Sequence, residues 1–504
     1  MPKLTIDGKE VDAGAHLNLI QAAEIADIEI PHYCFHPGLS IPGNCRMCLV
    51  EVEKAPKLQI ACNTRVAEGM VVHTRSDRAK AAQKAVLEFL LINHPIDCPV
   101  CDQAGECKLQ DYYMDYDQQP SRFPLPEKNH KGKAIDIGSD VMLDQERCIL
   151  CARCTRFFDE ITKTSELAIF ERADHNRIDI SPGQPVNNKY AGNVIDICPV
   201  GALTEKDFRF RMRVWYLHKT SSVCGGCERG CSIDIYHHRG RIYRYKPRFN
   251  PDVNSYWMCD EGRHSFLELQ HETRLTAPLV QAKDELVAET WGAAVLRAGA
   301  AIKDFKKLYG PRSIGAVIDA HSINEEAFAL KQLMRSVIGS DRIATLNWSP
   351  PGASGDDELL IRANKNPNTR GLAALGLSTD GLDGLASAVA SGELKMLIAF
   401  RADLVRALGE EEFVRRFGAL DYTLVLSTDA NETCQMANQV WPIAAYPEID
   451  GSFTNFQGRV QRINAAFPPP GNAIAGIEAI ARLGHALDGI DRPHTPDAVF
   501  AAMA

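Results

Sequence analysis

The chemistry available to this sequence lies in its sixteen cysteines, fifteen of which precede residue 260, with only Cys434 beyond. The stretch His94-Pro95-Ile96-Asp97-Cys98-Pro99-Val100-Cys101, closed by Cys107, gathers one imidazole and three thiols into one short loop. Such a loop is a cage for a metal ion or a metal cluster. Three further sets of four surround it: Cys34, Cys45, Cys48 and Cys62; Cys148, Cys151, Cys154 and Cys198; Cys224, Cys227, Cys231 and Cys259. An even count could pair into disulfides, but Cys-x2-Cys pairs suit chelation better, and the start shows no export signal.

Each set has its own spacing. Cys34-x10-Cys45-x2-Cys48-x13-Cys62 resembles a long-gap variant of the plant-type ferredoxin pattern that closes a [2Fe-2S] centre. His36 lies inside that loop, but four thiols already complete the site. Cys148-x2-Cys151-x2-Cys154, followed after 43 intervening residues by Cys198-Pro199, has the bacterial [4Fe-4S] ferredoxin signature in two halves. In two-cluster ferredoxins the remote cysteine serves the other cluster, so the spacing leaves open an exchange of Cys107 and Cys198. Cys224-x2-Cys227-x3-Cys231-x27-Cys259 suits zinc or iron alone, and its company favours iron.

The elements that must hold these residues change character along the chain. Leu4 to Ile6, an Asp7-Gly8 turn, a helix over Leu17 to Ile28, and strands at Leu49 to Val52 and Leu58 to Ile60 predict a small mixed sheet carrying the first set. Thr74-Arg75-Ser76-Asp77 opens a helix with apolar positions Ala82, Val86, Phe89 and Leu90, stopping near His94 because Pro95 follows. Asp111 to Lys133 reads as an aromatic, proline-punctuated connector. Phe208 to Val214 alternates as a strand with one apolar and one triply basic face, able to neutralise cluster charge or dock an acidic partner, or simply solvated. Ser232 to Tyr236 and Arg241 to Tyr245 form a hairpin across Gly240. Beyond residue 270, apolar runs at Ser313 to Asp319, Leu394 to Phe400 and Tyr422 to Ser427 predict buried parallel strands, with a helix opening at Ser322 to Glu325. No nucleotide motif occurs. The expected domains are 1–75, 76–135, 136–217, 218–272 and 273–504.

The chain has 504 residues, 45% of them apolar, and 56 basic against 65 acidic side chains give a charge of −9. That balance argues against nucleic acid as a partner. With no run of 18 apolar residues, the expectation is a cytoplasmic chain that meets a membrane only through partners.

Taken together, the four sets in this order resemble the family of the large iron-sulfur subunit of NADH:quinone oxidoreductase, respiratory complex I, over residues 1 to 265. The resemblance implies an α+β multidomain fold. It has a β-grasp [2Fe-2S] domain, helical and ferredoxin-like [4Fe-4S] domains, and a C-terminal α/β molybdopterin-oxidoreductase-like scaffold. It implies one [2Fe-2S] cluster on the first set and three [4Fe-4S] clusters on the others, the fourth off the main electron route. Its partners would be a flavin and NADH-binding subunit and ferredoxin-like quinone-side subunits, in the peripheral arm at the cytoplasmic face of a membrane. No catalytic residue or substrate site is implied. Arg274-Leu275-x-x-Pro278, Trp291 and Asp450-Gly451 to Gln461 resemble the molybdopterin fold. Against molybdenum stand Glu261 in Cys259-Asp260-Glu261-Gly262-Arg263, where that family has lysine, the lack of a metal-binding cysteine between Cys259 and Cys434, and an end too early for the full C-terminal barrel.

The nearest rival is the electron-input subunit of an NAD-linked formate dehydrogenase or hydrogenase, which would share the first three sets. A zinc-stabilised scaffold is the rival from another class. Iron content and EPR signals on reduction discriminate the second, and molybdenum analysis the first.

Overall fold

The computed structural model describes residues 1–503 apart from 117–119, 271, 284, 379 and 380. The chain divides into two units, Met1–Leu217 and His218–Ala504.

In the first unit, β1 (Lys3–Ile6) and β2 (Lys9–Asp12) form a hairpin whose Asp7 and Gly8 both take positive φ, the two-residue turn the sequence predicts. Helix α1 (Leu19–Ile25) is shorter than Leu17 to Ile28, because Asn18 and Gln21 close a reciprocal cap that fixes its start. Strands β3 (Leu49–Val52), β4 (Gln59–Ile60) and β5 (Val71–His73) complete a five-stranded sheet in the order β2-β1-β5-β3-β4, with β1 and β5 parallel. Leu4, Ile6, Val50 and Val72 point into its core together with Cys48 and Cys62.

Helix α2 (Asp77–Leu91) is capped by the Ser76 hydroxyl, while Thr74 instead donates its amide and hydroxyl to the Asp7 carboxylate. The predicted contact face is offset. Phe89 is 74% exposed, and Ala79, Gln83 and Leu87 are buried. A count of apolar positions misses Gln83 because its carboxamide enters the core by donating to the Leu49 and Thr74 carbonyls. The helix stops at Leu91, so His94 stands in the loop after it rather than at its end. The predicted connector begins as a helix, α3 (Lys108–Tyr116), held by Tyr112 packing on Tyr33; its residues 117–119 lie outside the described residues.

After it come β6 (Ile135–Asp136), β7 (Val141–Leu143), α4 (Arg153–Glu160), β8 (Leu167–Phe170), β9 (Arg177–Ile180), α5 (Asn193–Ile197) and β10 (Leu203–Glu205), with sheets β10-β7-β6 and β8-β9. The basic strand expected over Phe208 to Val214 is instead a run of turns with Phe210 at φ 63. Its groups are committed elsewhere: the Phe210 amide donates to Asp102, and Arg213 donates to the Cys101 and Pro99 carbonyls.

The second unit opens with a three-stranded antiparallel sheet, β11 (His218–Val223), β12 (Ser232–His238) and β13 (Arg241–Pro247), then α6 (Asp260–His264). Next come β14 (Leu279–Ala282), β15 (Glu285–Ala288), α7 (Trp291–Tyr309), β16 (Ile314–Asp319), α8 (Asn324–Gln332), β17 (Ile343–Leu346), α9 (Thr369–Ala374), α10 (Gly381–Ala390) and β18 (Met396–Phe400). The chain continues through α11 (Leu404–Leu408), α12 (Glu410–Phe417), β19 (Tyr422–Ser427), α13 (Glu432–Gln435) and β20 (Gln439–Pro442). It ends with the hairpin β21 (Gly451–Thr454) and β22 (Val460–Ile463), then α14 (Gly476–Asp488) and α15 (Pro496–Met503). The seven-stranded sheet runs β15-β14-β20-β19-β18-β16-β17, parallel from β20 to β17 and covered on both faces, as its unbroken apolar strands require. The cap of helix α8 falls one residue later than predicted, at Ile323 instead of Ser322, because the Glu326 carboxylate accepts from the Ile323 amide.

Candidate metal centres

All sixteen cysteines are free thiols. In the first set, loops flanking the five-stranded sheet bring Cys34 beside Cys45 and Cys48 beside Cys62, each pair in hydrogen-bonding reach. The Cys45 contact holds the Cys34 thiol down at about 5, with amides of Cys45 and Asn44 donating to it and Arg156 adding its charge. Cys45 and Cys48 are pushed far up by their partners and by burial, and Cys62 is lowered. Two pairs match the two irons of a [2Fe-2S] group, each of which takes two protein ligands. His36 accepts the Gly38 amide at Nδ1.

The second set fits a metal group through its histidine. His94 Nδ1 is buried with no hydrogen-bond partner, and burial lowers the imidazole to about 4, leaving it neutral with a free lone pair at pH 7. Cys107 precedes α3, where the Gln110 and Leu109 amides donate to its sulfur, while burial pushes the thiol up to about 12. Gly201, from the Cys-Pro loop, must lack a side chain: a Cβ there would lie 2.4 Å from Cys101 Sγ. His94, Cys98 and Cys107 line one open cavity.

The third set lines a small pocket containing all of Cys148, Cys151, Cys154 and Cys198, walled by Leu143, Ile178, Val200 and Leu203. Leu150 and Ala152, between the cysteines, take φ of 54 and 59, the left-handed region that non-glycine residues enter when neighbours over-determine it. Amides of Val200, Leu203 and Ala202 donate to Cys198 Sγ, and the Leu150 amide to Cys148 Sγ at 3.4 Å. Burial raises Cys148 to about 12 and Cys151 to about 11, so loading a metal must displace protons.

The fourth set lines a second such pocket, with all of Cys224, Cys227, Cys231 and Cys259 in its wall. The Gly226 amide donates to Cys224 Sγ at 3.4 Å and the Gly262 amide to Cys259 Sγ at 3.3 Å, donors of the kind that hold cluster sulfurs. A Cβ at Gly262 would stand 3.0 Å from Cys224 Sγ. Among the described residues no three His, Cys, Asp or Glu side chains gather as they would round a single metal ion.

Several supporting residues are invisible to motif spacing because they lie far away in the chain. Gln461, noted above only as a trace of the fold, donates to the Gly230 carbonyl at 2.8 Å, and the Phe456 amide to the Glu228 carbonyl, so the β21–β22 hairpin pins the Cys227 to Cys231 loop. Arg153 donates to the Phe35 and Ile197 carbonyls, tying the first set to the third. Tyr33, fully buried with no partner for its hydroxyl, feels the charges of both Cys107 and Cys45. One apolar cluster packs Cys34, Cys45, Cys107, Cys148, Cys151 and Cys198 with Tyr33, Met47, Leu87 and Val200, so three sets share a core.

At the carboxyl ends of β16, β18 and β19, where strand order reverses, lies a cavity of about 760 Å³. Asp319, Arg401, Ser427 and Asp429 line it, and no cysteine does. Arg274, another trace of the fold, is spent on a bidentate pair with Glu448, and Cys434 is a buried member of the sheet core.

Family models match in the same order as these sites: a 2Fe-2S iron-sulfur cluster binding domain over 2–77, the NADH-ubiquinone oxidoreductase-G iron-sulfur binding region over 83–122, the ferredoxin-like domain of NADH-quinone oxidoreductase subunit 3 over 138–204, and molybdopterin oxidoreductase over 366–486. The G subunit of NADH-quinone oxidoreductase from Streptomyces coelicolor is 40% identical over 343 residues, 68% of this chain and 40% of the relative. The chain is a homologue of that G subunit. The Rickettsia conorii G subunit is 38% identical over 67% of this chain and 49% of its own, and the mitochondrial 78 kDa subunit of Candida albicans NADH-ubiquinone oxidoreductase is 39% identical over 72% and 49%. The chain thus spans less than half the length of these relatives. Among solved structures, an NAD+-reducing [NiFe]-hydrogenase chain covers 42% of this chain and 91% of its own at 27% identity, with a TM-score of only 0.38. Among the described residues no helix is long and apolar enough to cross a membrane.

Proposed function

We propose that the chain is the electron-transferring iron-sulfur subunit of an NADH:quinone oxidoreductase, taking single electrons from a flavin subunit and passing them toward quinone. In this reading Cys34, Cys45, Cys48 and Cys62 hold a [2Fe-2S] cluster. His94 with Cys98, Cys101 and Cys107, Cys148 with Cys151, Cys154 and Cys198, and Cys224 with Cys227, Cys231 and Cys259 each hold a [4Fe-4S] cluster. The observation that carries it is the apolar core shared by cysteines of three sets, which favours charge transfer between neighbouring sites.

Bound clusters would supply one-electron storage, and the chain's part is to hold them with little rearrangement. Amides aimed at the sulfurs stabilise thiolate charge, Arg153 and Arg147 offset it, and buried walls exclude water. NADH releases two electrons as hydride, so a flavin-bearing partner must divide the pair. The complex would sit at the cytoplasmic face of a membrane, with quinone-side ferredoxin-like subunits downstream. The large cavity would remain without molybdenum, since its lining offers no thiolate.

The test is co-purification with a flavin subunit followed by NADH titration under EPR. Reduction of the clusters only when that subunit is present supports the reading; zinc in place of iron, or formate-driven reduction in its place, overturns it.

A further inference from the structure

The wall shared by the fourth cysteine pocket and the large cavity contains an ion pair with a buried lysine and a carboxylate open to solvent. Lys365 is 5% exposed, its Nζ donates to Glu261 Oε2 at 2.9 Å, and both residues line both spaces. The lysine is fixed from its backbone outward. Its amide donates to Ser349 Oγ, and the adjacent Asn364 side chain donates to Glu228 in the Cys227 to Cys231 loop at 3.0 Å. Its charge reaches the Cys227 thiol, as does that of Glu261 with opposite effect. A cation missing from the Cys259 to Arg263 motif is thus delivered from 104 residues away.

We propose that Lys365 and Glu261 are an opposed pair of positioning residues that set the reduction potential of the [4Fe-4S] group held by Cys224, Cys227, Cys231 and Cys259. The inference rests on the cluster reading of that set. Reduction brings one electron, and so one added negative charge, into the cage. Lys365 stabilises that charge from a buried position, and Glu261 opposes it more weakly because its carboxylate is open to solvent.

The full chain with its clusters is titrated with dithionite under EPR. Lys365→Met lowers the reduction constant of the fourth-site cluster about tenfold, a fall of about 59 mV for one electron. Lys365→Arg, which keeps the cation, leaves it near wild type, and Glu261→Gln raises it; the other clusters do not move. A fourth-site signal unmoved by Lys365→Met, or moved equally by Lys365→Arg, overturns the tuning role. Cys231→Ala separates the two layers. If it removes no EPR signal or iron from the protein, the cluster reading falls and the inference with it; if it removes the signal while Lys365→Met leaves that signal in place, only the tuning fails.

Discussion

Single residues decide what each cage can hold. Gly201→Ala would drive a methyl against Cys101 Sγ, since the new Cβ falls 2.4 Å from it. Its neighbour in that space is the sulfur of a buried cysteine, not a flexible side-chain tip. The expected outcome is loss of the second-site cluster with the other three retained, read as fewer irons per chain and one EPR signal gone. His94→Cys acts on charge instead of space: a thiolate in place of a neutral imidazole adds one negative charge, so the potential of that cluster falls in a redox titration. The grouping of the cysteines was legible in part from spacing, since the third and fourth sets each line one pocket. Gly201 was not, although it follows Cys198-Pro199 by two residues, because its role depends on a sulfur 100 residues away. Lys365 and Tyr33 were hidden for the same reason.

At the scale of elements, periodicity served well where burial is two-sided. The β16, β18 and β19 strands are parallel and almost wholly buried, as their sequences predict. It misled where polar side chains do the anchoring, as Gln83 does in α2 and Arg213 does in the segment expected to be a strand. The β21–β22 hairpin is a further case, since its motif reads as a fold signature yet its contacts clamp a cysteine loop. Gln461→Leu removes the donor to the buried Gly230 carbonyl, at a cost of about 1–3 kcal/mol. The fourth-site iron should be released first on mild heating, ahead of the three sites in the other unit, as followed by chelator-accessible iron. Helix α8 supplies a pH-dependent element. Burial raises the Glu325 carboxyl above its ordinary 4.5, despite its hydrogen bonds from Ser452. Between 4.5 and the raised value the folded form keeps a proton that the unfolded form has released, so stability falls as pH rises through that window. In Glu325→Gln this decline is removed, and urea midpoints should vary less with pH above 4.5 than in the wild type.

For the whole molecule, the cages are unequally sheltered. The first-set and fourth-set thiols are mostly buried, as are Cys151 and Cys154, whereas Cys98 is exposed, with Ile96 at 75% and Val100 at 61% beside it. A cage with one corner at the surface is where an external partner could approach a cluster most closely. It is also where dioxygen would arrive first. In air, the isolated chain should lose the second-site signal before the others, and an anaerobic preparation should retain all four. A maleimide should label Cys98 ahead of its fellows in iron-free protein. Metal delivery to this chain is therefore a race at its most open corner, and a cell that builds it must win that race before atmospheric chemistry does.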